Sequence, residues 1–197
     1  MPYYRDLSVY TYSNSVIPKL NVGWLGRCHS FAKGSTDPEV MDVLAFQVMM
    51  PRSRGRGRYP CYFCATFRIR GVVASAEIDG VEYHLGSAEI HAFSRDGDIF
   101  AAPDLIYHYI GSHGYRPPDE FMLALMDGRE GKVNKSTIRH LREVVEDAPR
   151  IEDRVDAAID LIQVAPEISI DWLNEIVALS TCHPYLRNQV KSALRLL

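Results

Sequence analysis

The chain has 197 residues, with 22 basic and 25 acidic side chains and a formal charge of −3. Hydrophobic residues make up 47% and aromatic ones 10%, enough burial potential to offset the entropy of ordering, which excludes wholesale disorder. No window approaches the roughly 20 apolar residues that span a bilayer. The opening MPYYRDLSVYTYSNS lacks the basic-then-apolar order of a signal peptide, so a cytoplasmic chain without membrane attachment is expected.

In chain order, aromatic and β-branched residues predict strands at 8–12, 20–25 and 62–69. Thr36-Asp37-Pro38-Glu39 carries a capping-box signature with an early proline, opening a helix whose Val40, Val43, Leu44 and Gln47 recur at helical spacing. Asp79-Gly80 lies between two strand-like runs and signals a two-residue turn. That turn sets Ile78 opposite Val81, Ala76 opposite Tyr83 and Ala74 opposite Leu85, an apolar face backed by Val73, Ser75, Glu77, Glu82 and His84. After Gly86 the parity changes to Ala88, Ile90 and Ala92, which requires a bulge or bend at Gly86-Ser87. A turn at Asp96-Gly97-Asp98 leads into Ile99, Phe100 and Ala101. Helices then follow from Pro103, stopping at Gly111, and from Pro117-Pro118, stopping at Gly128.

From Asn134 the texture becomes helical, with amphipathic segments near 134–148, 151–165, 169–181 and 184–197 set apart by Pro149, Pro166 and Pro184. The polar, glycine-bearing stretch 127–132 reads as a boundary. The fold expected is α+β: an antiparallel sheet with two or three helices in residues 1–130, followed by an all-helical C-terminal subdomain, 131–197.

Four cysteines are too few for a disulfide framework, and in a reducing compartment they point to burial or to metal. Cys61-Tyr62-Phe63-Cys64 is the sharpest motif, because two cysteines two residues apart can aim both thiolates at one tetrahedral zinc. Zinc needs two more ligands; Cys28-His29 lies upstream, and His84, His91 and His113 lie downstream. The other reading of the pair is two small core thiols.

Glu77, Glu82, His84, Glu89 and His91 are expected on one polar face of the hairpin, with Glu77 and Glu82 directly opposed. Such donors suit a metal-dependent hydrolytic site with Glu89 and His91 as leading ligands; the plainer reading is a solvated face. Arg52, Arg54, Arg56 and Arg58, followed by Tyr59, form a basic run able to meet an acidic protein partner. The plainer reading is a flexible, solvated loop; phosphate tracking is a further alternative, and the acidic whole chain disfavours nucleic acid. His108 and His113 flank the end of a predicted helix, and their pairing with Cys28, Cys61 or Ser112 would make a Cys/His hydrolase. No GxSxG, P-loop or HExxH pattern is present.

Five segments together resemble a family of uncharacterised bacterial proteins. These are Tyr3-Tyr4-Arg5-Asp6-Leu7-Ser8, Leu20-Asn21-Val22-Gly23-Trp24-Leu25, Cys61-Tyr62-Phe63-Cys64, Leu85-Gly86-Ser87-Ala88-Glu89-Ile90, and the run from Tyr107-His108-Tyr109 to Phe121. The likeness covers about residues 3–128. It implies a domain outline without a mechanism. It also implies a histidine two positions before the first cysteine of CxxC, where this chain has Tyr59, which leaves Cys28 and His29 as the candidate partners of Cys61 and Cys64 for zinc. By analogy with small proteins of this sort, the expected function is a non-catalytic interaction protein, in its specific form an immunity protein neutralising a toxin.

Overall fold

In the computed structural model, residues 2–13, 16–53, 55, 57–65, 71–178 and 183–195 are described. The Asp79-Gly80 turn forms as its chemistry requires, with both residues at positive φ (52° and 74°). It joins β2 (Ser75–Ile78) to β3 (Val81–His84) in the expected antiparallel register, Ile78 with Val81 and Ala76 with Tyr83. Ala74, Ala76, Ile78 and Leu85 are buried, while Glu77, Glu82 and His84 face solvent.

At Gly86 the chain leaves the hairpin for a second sheet. Its φ is 94°, and a Cβ there would sit 2.2 Å from the Tyr59 carbonyl oxygen, so only glycine lets the 59–61 segment pack this closely. The second sheet has the order β1-β5-β4. β4 (Glu89–Phe93) and β5 (Ile99–Pro103) pair antiparallel across the Asp96-Gly97-Asp98 turn, and β1 (Leu20–Asn21) joins β5 in parallel. The expected single antiparallel sheet is therefore two small sheets, one of them mixed. Of the strand predicted at 8–12, a single bridge, Val9 with Leu20, remains. Residues 62–65 make a turn instead of a strand, and 66–69 lie outside the described residues.

Helix α1 (Pro38–Met49) is capped by Asp37, whose carboxylate accepts the Glu39 N–H at 2.9 Å. α2 (Ile106–His113) starts three residues after Pro103, which is the last residue of β5. It runs through Gly111 and ends on Gly114 in the left-handed conformation (φ 65°). α3 (Asp119–Arg129) likewise continues through Gly128. An interior glycine costs a helix only about 1 kcal/mol, less than the burial of Tyr109, Ile110, Leu125 and Phe121 returns.

Both faces of the β4-β5 ribbon are covered. Ile90, Ala92, Phe100 and Ala102 pack with buried residues of α1, α2 and α3. On the other face, Phe93 and Ile99 join the apolar stripes of α4 (Lys135–Asp147), α5 (Ile151–Val164), α6 (Pro166–Ala178) and α7 (Pro184–Leu194). The α+β class with a helical C-terminal part thus stands. Residues 131–197 share a core with Met50, Phe93 and Ile99 of the preceding segment.

Candidate metal centre

The cysteine pair sits on a knuckle held from both sides. Cys61 bridges Val72, its N–H donating to the Val72 carbonyl at 2.7 Å and its carbonyl accepting from the Val72 N–H at 3.2 Å. The turn then closes, with the Ala65 N–H donating to the Tyr62 carbonyl at 3.3 Å. Phe63 anchors it by packing edge-on against Phe31 (5.3 Å between centroids) and Tyr109 (5.5 Å). Opposite this knuckle, α2 presents His108 from its first turn and His113 from its last residue, and Gly114 ends the helix immediately beyond.

The four side chains converge: one ligand atom from each of Cys61, Cys64, His108 and His113 lies within 4.8 Å of all the others. His113 Nε2 stands 3.2 Å from Cys61 Sγ and 3.3 Å from Cys64 Sγ. His108 Nε2 stands 3.3 Å from Cys64 Sγ, and the two Nε2 atoms are 3.2 Å apart. On its far side, His108 Nδ1 lies 3.2 Å from Ser112 Oγ, one helical turn away. Burial pushes the Cys61 thiol up to about 11, against the pull of backbone N–H donors from Cys64 and Phe63. Burial also lowers both histidines, helped at His108 by His113 and at His113 by Lys33. Two imidazoles in their neutral form and two thiols on one spot are a donor set for a soft or borderline metal ion.

Cys28 and His29, the partners expected for Cys61 and Cys64, are not in this group. Both are exposed, and the His29 ring is stacked on Tyr3 at 3.6 Å. Adjacency in sequence was a weak guide: folding brings the helix end at 108–113 over the knuckle and leaves 28–29 in a surface turn. The signal available in the sequence was the His-x4-His spacing after a Cys-x2-Cys pair, which falls within the range zinc sites use.

Glu89 and His91 do not share the exposed hairpin face with Glu77, Glu82 and His84. They lie on β4 at 3% and 0% exposure, inside a cluster of polar groups. His91 Nδ1 contacts Asp160 Oδ2 at 2.9 Å, and its Nε2 faces Lys19 Nζ at 3.0 Å and Glu89 Oε2 at 3.3 Å. Tyr10 donates its hydroxyl to Glu89 at 2.6 Å. Of the basic run, Arg52 is fully buried, its Nε donating to Asp160 Oδ1 at 2.8 Å and its Nη1 to the Gln47 side chain and the Met50 carbonyl. It is not available to a partner, because α5 covers it. Arg58 and Tyr59 are exposed, and Arg54 and Arg56 lie outside the described residues.

A groove of about 540 Å³ opens between the β2-β3 hairpin, the end of α1 and α7. Arg58, Arg195 and His84 line it together with Glu82, Tyr83 and Asn188. No helix among the described residues is long and apolar enough to cross a membrane. A family model described as a domain of unknown function (DUF7919) matches residues 2–126. No curated protein and no solved structure matches.

Proposed function

The chain belongs to the DUF7919 family over residues 2–126, and on that footing we propose that it is a non-catalytic interaction protein that receives an acidic segment of a protein partner. The observation that carries this reading is the groove, where Arg58 and Arg195 are lining residues with His84 and Tyr83, beside the acids Glu82 and Asp104. Arginine and tyrosine are the residue types that most often anchor protein interfaces, because each combines a large contact area with directed hydrogen bonds. The groove is also built from both parts of the chain, the hairpin of the family domain and α7 of the tail. Glu89 and His91, which an enzyme reading would place at the surface, are used inside the protein instead. The specific form of the proposal, an immunity protein neutralising a toxin, rests on analogy with small proteins of such families.

The test is calorimetric titration of the purified chain with the product of its neighbouring gene, repeated with Arg58→Glu/Arg195→Glu. A complex weakened at least about tenfold by the charge reversals is expected, each arginine contact being worth on the order of 1–2 kcal/mol. A complex indifferent to both reversals, or no complex with any neighbouring gene product, overturns the reading.

A further inference from the structure

We propose that Cys61, Cys64, His108 and His113 hold one zinc ion in a closed, architectural site that ties the 61–64 knuckle to the C-terminal end of α2. This inference is independent of the partner reading.

The geometry exceeds what hydrogen bonding explains. His113 Nε2 has three neighbours at 3.2–3.3 Å: Cys61 Sγ, Cys64 Sγ and His108 Nε2. A ring nitrogen carries either one proton or one lone pair, so it makes one such bond and leaves two close contacts without a partner. His108 Nε2 repeats the problem with two neighbours. A single cation at the centre satisfies all four atoms at once, each lone pair pointing inward.

The separations also suit the ion. With Zn–S near 2.3 Å and Zn–N near 2.0–2.1 Å, tetrahedral angles place sulfur and nitrogen about 3.5 Å apart and two nitrogens about 3.3 Å apart. The observed 3.2–3.3 Å and 3.2 Å are each within roughly 0.3 Å of those values. Two thiolates and two neutral imidazoles are the tetrahedral S₂N₂ set of zinc, and they bring the ion to zero net charge, which a half-buried site requires. Four protein ligands leave no open position for water or substrate, as in structural zinc sites.

The surroundings point the same way. His108 Nδ1 lies 3.2 Å from Ser112 Oγ, a contact that an Nδ1–H makes when Nε2 is the ligating atom; ligating histidines commonly spend their second nitrogen like this. Cys61 and His113 are 52 residues apart, so the ion cross-links two segments that local structure does not join.

Metal content of the full chain, purified reduced and without chelator, tests the proposal. About one zinc per chain is expected, falling at least tenfold in Cys64→Ser and in His113→Asn and unchanged in Cys28→Ser/His29→Asn. Should a ligand variant not fold, wild-type protein stripped of metal and titrated with Co(II) reads the donors directly. Intense tetrahedral visible bands with thiolate charge transfer are expected, displaced by one equivalent of zinc. Ser112→Ala, which keeps all four ligands, is expected to weaken zinc about tenfold. A wild-type chain that carries under about a tenth of an equivalent and takes up neither zinc nor cobalt overturns the site. Full zinc retention in both ligand variants, or its loss in the Cys28/His29 control, overturns the ligand set, and stoichiometric iron or copper overturns the ion.

Discussion

Replacing Asp160 by Asn exchanges one carboxylate oxygen for an amide nitrogen and takes from Arg52 its buried ion-pair partner, while His91 keeps Glu89 at 3.3 Å. The Asp160 carboxylate accepts from Arg52 Nε at 2.8 Å and faces His91 Nδ1 at 2.9 Å, with side-chain exposures of 5%, 0% and 0%. Arg52 keeps only neutral acceptors afterwards, Gln47 Oε1 at 2.6 Å and the Met50 carbonyl at 2.7 Å. Breaking a buried pair by removing one partner costs about 3–5 kcal/mol, chiefly because the remaining charge has lost its solvent and its counter-ion. Asp160→Asn is therefore expected to destabilise the chain by that amount. In a protein of this size, where 1 kcal/mol moves Tm by about 2–4 °C, the drop is roughly 6–20 °C. Arg52→Met leaves Asp160 with His91 and is expected at the lower end, about 3 kcal/mol. The double variant should cost less than the sum of the two by on the order of 1–3 kcal/mol, since the second change removes a group already orphaned. Urea unfolding of the four proteins at one pH gives every term. A cost below about 1 kcal/mol for Asp160→Asn, or additivity of the two changes, refutes the reasoning and would mean that water reaches the cluster.

The same cluster makes stability depend on pH at its alkaline end. Burial alone would lower His91, but the Asp160 carboxylate overcomes this and holds it above its ordinary 6.5. Lys19 opposes this rise from 3.0 Å away on the other side of the ring. A raised histidine contributes stability that is full below 6.5 and lost as pH rises through the folded value. Stability should fall on the alkaline side, and His91→Gln should flatten that arm; an unchanged profile in the variant removes the assignment. At the acid end, burial would raise Asp160, but His91 and Arg52 hold it below the usual carboxylate range, so its contribution is lost as pH falls through that range. Gly86→Ala places a Cβ 2.2 Å from the Tyr59 carbonyl oxygen at a φ of 94°, and a loss of at least about 2 kcal/mol in urea unfolding is expected. A loss under about 0.5 kcal/mol would show that the 59–61 segment moves aside freely.

Features that depend on near neighbours were legible in advance. The Asp79-Gly80 hairpin and its register, the Asp37 end of α1 and the four tail helices all rest on turn chemistry, capping and periodicity. The errors concern termination and exposure. Gly111 and Gly128 do not stop their helices, because packing outweighs a single weak residue. The alternation of Glu89, His91 and Phe93 with Ile90 and Ala92 implied a wet face, yet all five residues are buried. The pattern recorded polarity correctly, and the α4–α7 layer supplied partners where water was expected.

The Cys-x2-Cys knuckle and the histidines of α2 could each be read from the sequence, since each is a local arrangement on one element. That they face each other, and that Cys28 and His29 stay on the surface, was decided by the packing of Phe63 on Tyr109 and Phe31. The same holds for Arg52, one of four arginines indistinguishable by spacing, which alone is known to lie beneath α5 against Asp160, 108 residues away. Spacing along a chain constrains geometry over a few residues. Beyond that range, which polar groups meet each other and which meet water depends on how whole layers close over one another.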